Sequence, residues 1–502
     1  MRRVLAATLL LAAAGCSSVP AAEPATESAT ESGGGSLAPV EWGPCTDIKR
    51  PDGELPARQD ASVRCGKLEV PLDYAQPAGE TIDLALIKLP ATGQRLGSVV
   101  FNFGGPGASG VDTLDQAAKA LTTLRARYDL ISFDPRGVER SSGVRCGSGA
   151  DMDRFTSLDT LPPNEETHQR SEAANKEFAA LCQKNSGKIL PYVGTVNAAR
   201  DLDRIRAALG DAKLNYVGMS YGTQLGGVYA TQFPQKVGRM VLDAPLDPTV
   251  TFEQRTLAQT RGFQQAYESF LKACVKNSCT IGRDPATANA NVENLMNELT
   301  AKPLKVGNRD LTQGLASTGV AAALYSEMTW PFLEQALSDA LKGKGGALMY
   351  LADSYTGRKP DGTYSTQMTS FPAITCVDTA ERPTPAELRR TEQAALRISP
   401  LFGSEGSGGL CRVWPAQGSD QARHVNATGS APIVVVGGKG DPATPYEWAP
   451  RLTAQLKTAT LVTYMGEGHG AYLSGSKCVQ GLVDAYMIDG KVPEKGATCP
   501  AA

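Results

Sequence analysis

Between Lys67 and Tyr464, short apolar runs alternate with longer stretches in which apolar residues return every three or four positions. Eight of the runs read as β-strands: Lys67–Leu72, Ile82–Leu89, Ser98–Phe103, Tyr128–Phe133, Leu214–Val217, Arg239–Leu242, Pro432–Gly437 and Thr460–Tyr464. The first two flank Gln76-Pro77-Ala78-Gly79 and predict a hairpin. The later ones are short and apolar throughout, as strands buried on both faces are. This alternation predicts an α/β fold built on an eight-stranded, mostly parallel sheet covered by helices. It breaks between Asp247 and Asn426, where helical periods run over Phe252–Lys276, Pro285–Leu299, Gly319–Leu341 and Pro385–Ile398 and no strand is predicted. A helical block inserted between two sheet strands reads as a cap domain, residues 247–426, which divides the sheet domain into residues 40–246 and 427–502. Ligands of open α/β sheets bind at the carboxyl ends of the strands, so such a cap should roof the site. Ser148–Ser186 reads as a smaller excursion and Ser404–Gly409 as a short flexible loop.

The N-terminus has another pattern. Arg2 and Arg3 precede the apolar run Val4–Ala14, which is too short to span a membrane, and Ala13-Ala14-Gly15-Cys16 offers a cleavage site. Residues 1–16 therefore read as an export signal, and the Gly-Cys end resembles a bacterial lipobox, with Ala13 where leucine is usual. Cys16 would then be lipidated and would hold the protein at the outer face of the cell membrane. Cleavage near Ala22, with plain secretion, is the alternative. Residues 17–39 are Ala, Ser, Thr, Glu, Gly and Pro without apolar period, and predict a disordered tether.

Composition narrows the function classes. A net charge of −2 with scattered basic residues gives no nucleic-acid surface. Eleven cysteines, less Cys16, leave an even set without any Cys-x-x-Cys, and three histidines are too few for a zinc cluster, so a disulfide framework is expected and no metal or other cofactor. Ten cysteines allow roughly 900 connectivities. Joining neighbours closes the shortest loops and is the expectation: Cys45–Cys65, Cys146–Cys182, Cys274–Cys279, Cys376–Cys411 and Cys478–Cys499. The protein is expected to be a monomer.

Gly218-Met219-Ser220-Tyr221-Gly222 joins a predicted strand to a predicted helix. So sharp a turn strains the serine backbone and lifts its hydroxyl clear of the sheet, and glycines on either side avoid collisions across it. A serine nucleophile needs a base. Of His168, His424 and His469, the last alone follows both Ser220 and a strand, in the loop Gly466-Glu467-Gly468-His469-Gly470. That loop also fits Gly-x-Gly-x-x-Ala, but no βαβ unit follows it, which argues against dinucleotide binding. Asp441, after the strand Ile433–Val436, would orient the imidazole, with Asp243 and Asp247 as competitors one strand earlier. The oxyanion would be held by the backbone N–H groups of Tyr221 and of Gly105 in Gly104-Gly105-Pro106-Gly107.

Together with Asp134-Pro135-Arg136-Gly137 and Thr444-Pro445, these motifs resemble the proline iminopeptidase and tripeptidyl aminopeptidase family of serine hydrolases, over about Trp42 to the C-terminus. Within it the chain is most similar to the exported actinobacterial branch, which includes mycobacterial cell-envelope proteases and carboxylesterases. Phe103 departs from the proline iminopeptidases, which place His before the Gly-Gly-Pro-Gly. The resemblance implies an α/β-hydrolase fold and a Ser220, Asp441, His469 triad that removes residues from the free N-terminus of short peptides. It also implies acidic cap residues that hold the substrate ammonium, for which Glu327 and Asp378 are the candidates. A carboxylesterase acting on small acyl esters would use the same triad. A surface protein that only binds ligands on this fold would lack a triad member, and none is missing.

Overall fold

The computed structural model describes residues 39–45, 62–403 and 408–502. Cys16, the predicted signal and nearly all of the predicted tether lie outside the described residues, as does most of the Ser404–Gly409 loop. All eight predicted strands form, and two shorter ones join them at the edges. Among the described residues the twelve strands are, in chain order, β1 (Glu41–Gly43), β2 (Arg64–Pro71), β3 (Thr81–Leu89), β4 (Ser98–Asn102), β5 (Asp129–Phe133), β6 (Leu214–Met219), β7 (Val237–Asp243), β8 (Leu304–Val306), β9 (Arg309–Leu311), β10 (Ile433–Gly440), β11 (Ala459–Glu467) and β12 (Thr498–Cys499).

Ten of them make a sheet ordered β1-β2-β3-β5-β4-β6-β7-β10-β11-β12. It is antiparallel from β1 through β3 to β5 and parallel from β5 to β12. The middle strands are buried on both faces: every residue of β4 is buried, as are Ile433 to Val436 in β10. One face packs on Leu202, Ile205, Leu225 and Tyr229, from the helices Thr195–Ala208 and Tyr221–Gln232. The other packs on Leu114, Leu124, Val479, Val483 and Met487.

The segment between β7 and β10 is mostly helical, with two corrections to the expectation. Leu304–Val306 and Arg309–Leu311 pair as a small antiparallel hairpin turned by Gly307, which adopts φ +60°. The single helix expected over Gly319–Leu341 is two, Gln313–Leu324 and Trp330–Leu341. Pro331 opens the second, where a missing N–H costs nothing, and Ser326 caps the turn between them by accepting the Met328 N–H. The buried apolar residues of the segment fall into two groups. Those from Ala266 to Ala352, with Leu401 and Phe402, form a separate core. Ala373, Ile374, Trp414 and Val425 instead join the core beneath the sheet.

Five disulfides join neighbours in sequence: Cys45–Cys65, Cys146–Cys182, Cys274–Cys279, Cys376–Cys411 and Cys478–Cys499. Such a framework belongs to a chain folded outside the reducing cytosol. No helix among the described residues is long and apolar enough to cross a membrane.

Candidate active site

Four neighbouring strands deliver the site at their carboxyl ends. Ser220 follows β6, Asp243 ends β7, Asp441 follows β10 and His469 follows β11. Ser220 has φ +55° and ψ −123°, a conformation that a non-glycine residue adopts only when its surroundings force it. The neighbours that force it are visible. A Cβ on Gly218 would lie 2.3 Å from the Gly222 oxygen, and one on Gly222 would lie 2.5 Å from the Asn102 oxygen. The glycine loop after β4 closes on the serine, so that a Cβ on Gly104 would sit 2.7 Å from Ser220 Cβ and 3.3 Å from its Oγ.

Asp441 is 3 % exposed and saturated with donors. Its Oδ1 accepts the N–H groups of Ala443 at 3.0 Å and Thr444 at 2.8 Å, and its Oδ2 accepts the Thr444 hydroxyl at 2.9 Å. His469 Nδ1 stands 2.9 and 3.0 Å from the two carboxylate oxygens. A carboxylate facing Nδ1 holds the proton there and leaves Nε2 with its lone pair. Burial pulls the imidazole pKa down, but the Asp441 charge, its hydrogen bond and the more distant Asp243 charge outweigh this, and the net shift is upward from 6.5. Tyr325, in the turn between the two helices, fixes the same residue from outside. Its carbonyl accepts the His469 N–H at 2.8 Å, and its ring meets the imidazole edge-on at 5.2 Å.

The competing groups have other partners. Asp243 accepts the N–H groups of Ala471 and Tyr472, each at 2.9 Å from Oδ2, and so holds the histidine loop down. Burial lifts its pKa to about 6 against those two bonds. Asp247 is spent on Thr249 and Gln455. His168 pairs with Glu392 at 2.7 Å, and His424 is exposed.

The two cap acids lie in different surroundings. Asp378 is buried, and its carboxylate accepts both the N–H (2.7 Å) and the hydroxyl (2.5 Å) of Thr195, whose Oγ1 also accepts the Tyr221 hydroxyl at 2.6 Å. Burial raises its pKa to about 6, while the Thr195 bonds and the Arg255 charge oppose the rise. Glu327 is exposed, and its charge reaches Glu467, two residues before His469. Glu467 is half-buried and accepts the Ser269 hydroxyl at 3.0 Å; burial and the Glu327 charge together raise its pKa. In the sequence Glu467 reads as part of the histidine loop, whereas it ends β11, and an acid between the glycines of that loop is the signal that could have singled it out.

The strand order and a strained serine at the β6 elbow, next to a His–Asp pair on the following strand ends, define a serine hydrolase of the α/β-hydrolase class. Comparison with known proteins narrows this. A family model described as TAP-like protein matches residues 399–499. Serine protease Hip1 of Mycobacterium tuberculosis is 38% identical over 482 residues, covering 92% of this chain and 91% of that protein. Carboxylesterase B of the same species is 35% identical over 520 residues, covering 99% and 98%. Tripeptidyl aminopeptidase of Streptomyces lividans is 30% identical over 480 residues, covering 92% and 87%. The chain belongs to this tripeptidyl aminopeptidase-like family of α/β-hydrolases, in the branch that contains the mycobacterial proteins.

Proposed function

We propose that the protein is an exported serine peptidase that cleaves short peptides from a free N-terminus, anchored to the membrane through lipid on Cys16, with residues 247–426 acting as a cap over the site. Ser220 Oγ attacks the scissile carbonyl carbon while His469 Nε2 takes the hydroxyl proton. The oxyanion is held by the N–H groups of Tyr221 and Gly105; the Gly104 N–H is already committed to Asn102 Oδ1 at 3.1 Å. The C–N bond then breaks as His469 returns the proton to the leaving amine. Water, deprotonated by the same imidazole, releases the acyl group and regenerates Ser220. Asp441 orients the ring and balances its charge, and Thr444 braces Asp441. The observation that carries the reading is the left-handed Ser220 backbone with the Gly104 loop pressed against its side chain.

For the substrate ammonium, the neighbouring charges of Glu327 and Glu467 fit best. The Glu327 charge adds to the cost of ionising half-buried Glu467, which a bound cation would relieve. Asp378 remains the second candidate, with Thr195 already on its carboxylate. Ser220→Ala should fold, lose labelling by a fluorophosphonate and lose roughly 10⁴–10⁶ in kcat; labelling that persists would sink the assignment. A peptide amide with a free N-terminus should be cleaved far faster than its N-acetylated twin, and Glu327→Gln should erase much of that preference. The likeness to carboxylesterase B over nearly the whole chain supports the second reading, an esterase with the same triad. Equal rates on the two peptides, with faster turnover of simple acyl esters, would decide for it.

A further inference from the structure

The helix Phe252–Lys276 lays one face across the strand ends that carry the site. Arg255, Gln259, Gly262 and Ser269 fall within about a quarter of a turn of one another on it. Ser269 reaches Glu467 at the end of β11. In the loop after β10, a Cβ on Gly262 would lie 2.4 Å from the Pro442 oxygen, and Gln259 donates to the Ala443 oxygen at 2.8 Å. The next strands in the sheet are β7 and β6. Arg255, one turn further along the same face, therefore stands toward the ends of β7 and β6, and β6 leads into Ser220. The charges that reach Arg255 agree. Asp247 follows β7, and Asp378 is joined through Thr195 to Tyr221, the residue after Ser220.

The Arg255 guanidinium has no bonded partner among the described residues: Asp378, Glu381, Asp247 and Arg423 act on it only through space. Glu381 is taken by the Phe252 N–H at 2.7 Å and by Arg423 at 2.9 Å, Asp247 by Thr249 and Gln455, and Asp378 by Thr195. Arg255 Nε is shut in without a partner, and burial pulls the guanidinium pKa down by more than the acids lift it. The residue is nonetheless only half-buried, and neither Nη is sealed in as Nε is. A guanidinium desolvated along its stem and open at its tip belongs to a cleft, and leaving it unpaired there is costly.

We infer that Arg255 binds a carboxylate of the substrate, either an acidic side chain or a terminal carboxylate. This rests on the reading of Ser220 as the nucleophile of the same site. The two Nη groups form a planar fork that matches both oxygens of a carboxylate. Arg423 offsets Glu381, and Arg451, at 3.7 Å, offsets Asp247, which leaves Asp378 as the charge set against an incoming anion. Arg255 matches a single negative charge, whereas a doubly charged group would meet Asp378 unbalanced.

The test compares kcat/KM within pairs of substrates that differ by one negative charge. The pairs are tetra-alanine and its amide, Ala-Ala-Glu-Ala amide and Ala-Ala-Gln-Ala amide, and p-nitrophenyl hydrogen glutarate and p-nitrophenyl pentanoate. The parent enzyme should prefer the charged member of at least one pair by about tenfold or more, as a hydrogen bond to a charged group is worth. A preference in the first pair identifies a terminal carboxylate, in the second an acidic side chain, and in the third an acidic acyl group. Arg255→Met should bring that preference to within about twofold of unity, and Arg255→Lys should keep part of it. Because burial outweighs the charges around Arg255, Arg255→Met should unfold at the parent's temperature or above, so the loss is read on a folded enzyme. A merely structural role would lower both members of a pair together, and an unchanged preference in Arg255→Met overturns the inference. Turnover of the pairs by the parent without any charge preference also overturns it while leaving the peptidase reading in place. Turnover of the esters alone, with a charge preference that Arg255→Met abolishes, would replace the peptidase reading and uphold the role of Arg255.

Discussion

His469 carries opposite consequences for activity and for stability. The proposed mechanism needs the neutral ring, whose pKa in the folded chain lies above 6.5 because Asp441 and Asp243 outweigh burial. The acidic limb of kcat/KM should therefore rise through an apparent pKa above 6.5, and Asp441→Asn should move it down while lowering the plateau. A pH–rate profile with its limb at or below 6.5 in the parent enzyme would contradict the electrostatics described. Stability runs the other way. A pKa raised on folding gives a contribution that is fully present below the unfolded value of about 6.5 and is lost as pH rises through the folded value. The enzyme thus gains its base over the same interval in which the ion pair stops adding to stability. At this scale the sequence was informative where chemistry is local. Ser220 stands in a five-residue pattern whose glycines have steric work to do, and His469 was the one histidine after both Ser220 and a strand. The roles of Tyr325 and Asp243 were hidden, because a carbonyl reaching 144 residues along the chain and a carboxylate gripping the loop after another strand leave no trace in spacing.

Among the elements, the glycine loop after β4 is the most exacting. Gly104 adopts φ +97°, and any Cβ there would press on Ser220. Gly104→Ala should keep its circular dichroism yet lose at least about 100-fold in turnover, since small displacements of a reacting group are that costly; an unchanged rate would show that the loop does not set the serine. Asp134-Pro135-Arg136-Gly137 proves to be scaffold. Arg136 is fully buried and makes two bonds of 2.6 Å to Asp201, with further bonds to Pro71 and Leu72 carbonyls. Arg136→Ala would strand the Asp201 charge in the core and should cost about 3–5 kcal/mol, read as a lower denaturant midpoint. The eight main strands were legible because each is an apolar run bounded by turn residues. The edge strands β1 and β12 are three and two residues long, too short for any period to register. The break near Tyr325 was masked by apolar residues that keep the helical period on both sides of it, while the cap at Ser326 and the proline at 331 that cause it are single-residue signals.

Across the whole molecule, the inserted segment has a core of its own on one side and shares the sheet's core on the other, so its two halves should differ in how freely they move. Hydrogen exchange should find the amides of Trp330–Leu341 less protected than those of Gln367–Val377, whose residues Ala373 and Ile374 belong to the main core. Similar protection in both would mean that the segment opens only with the sheet. The turn at Tyr325 lies on the half with its own core and grips His469 by a backbone bond and a ring contact. The turn and the imidazole are thereby interlocked: whatever displaces one slackens the other.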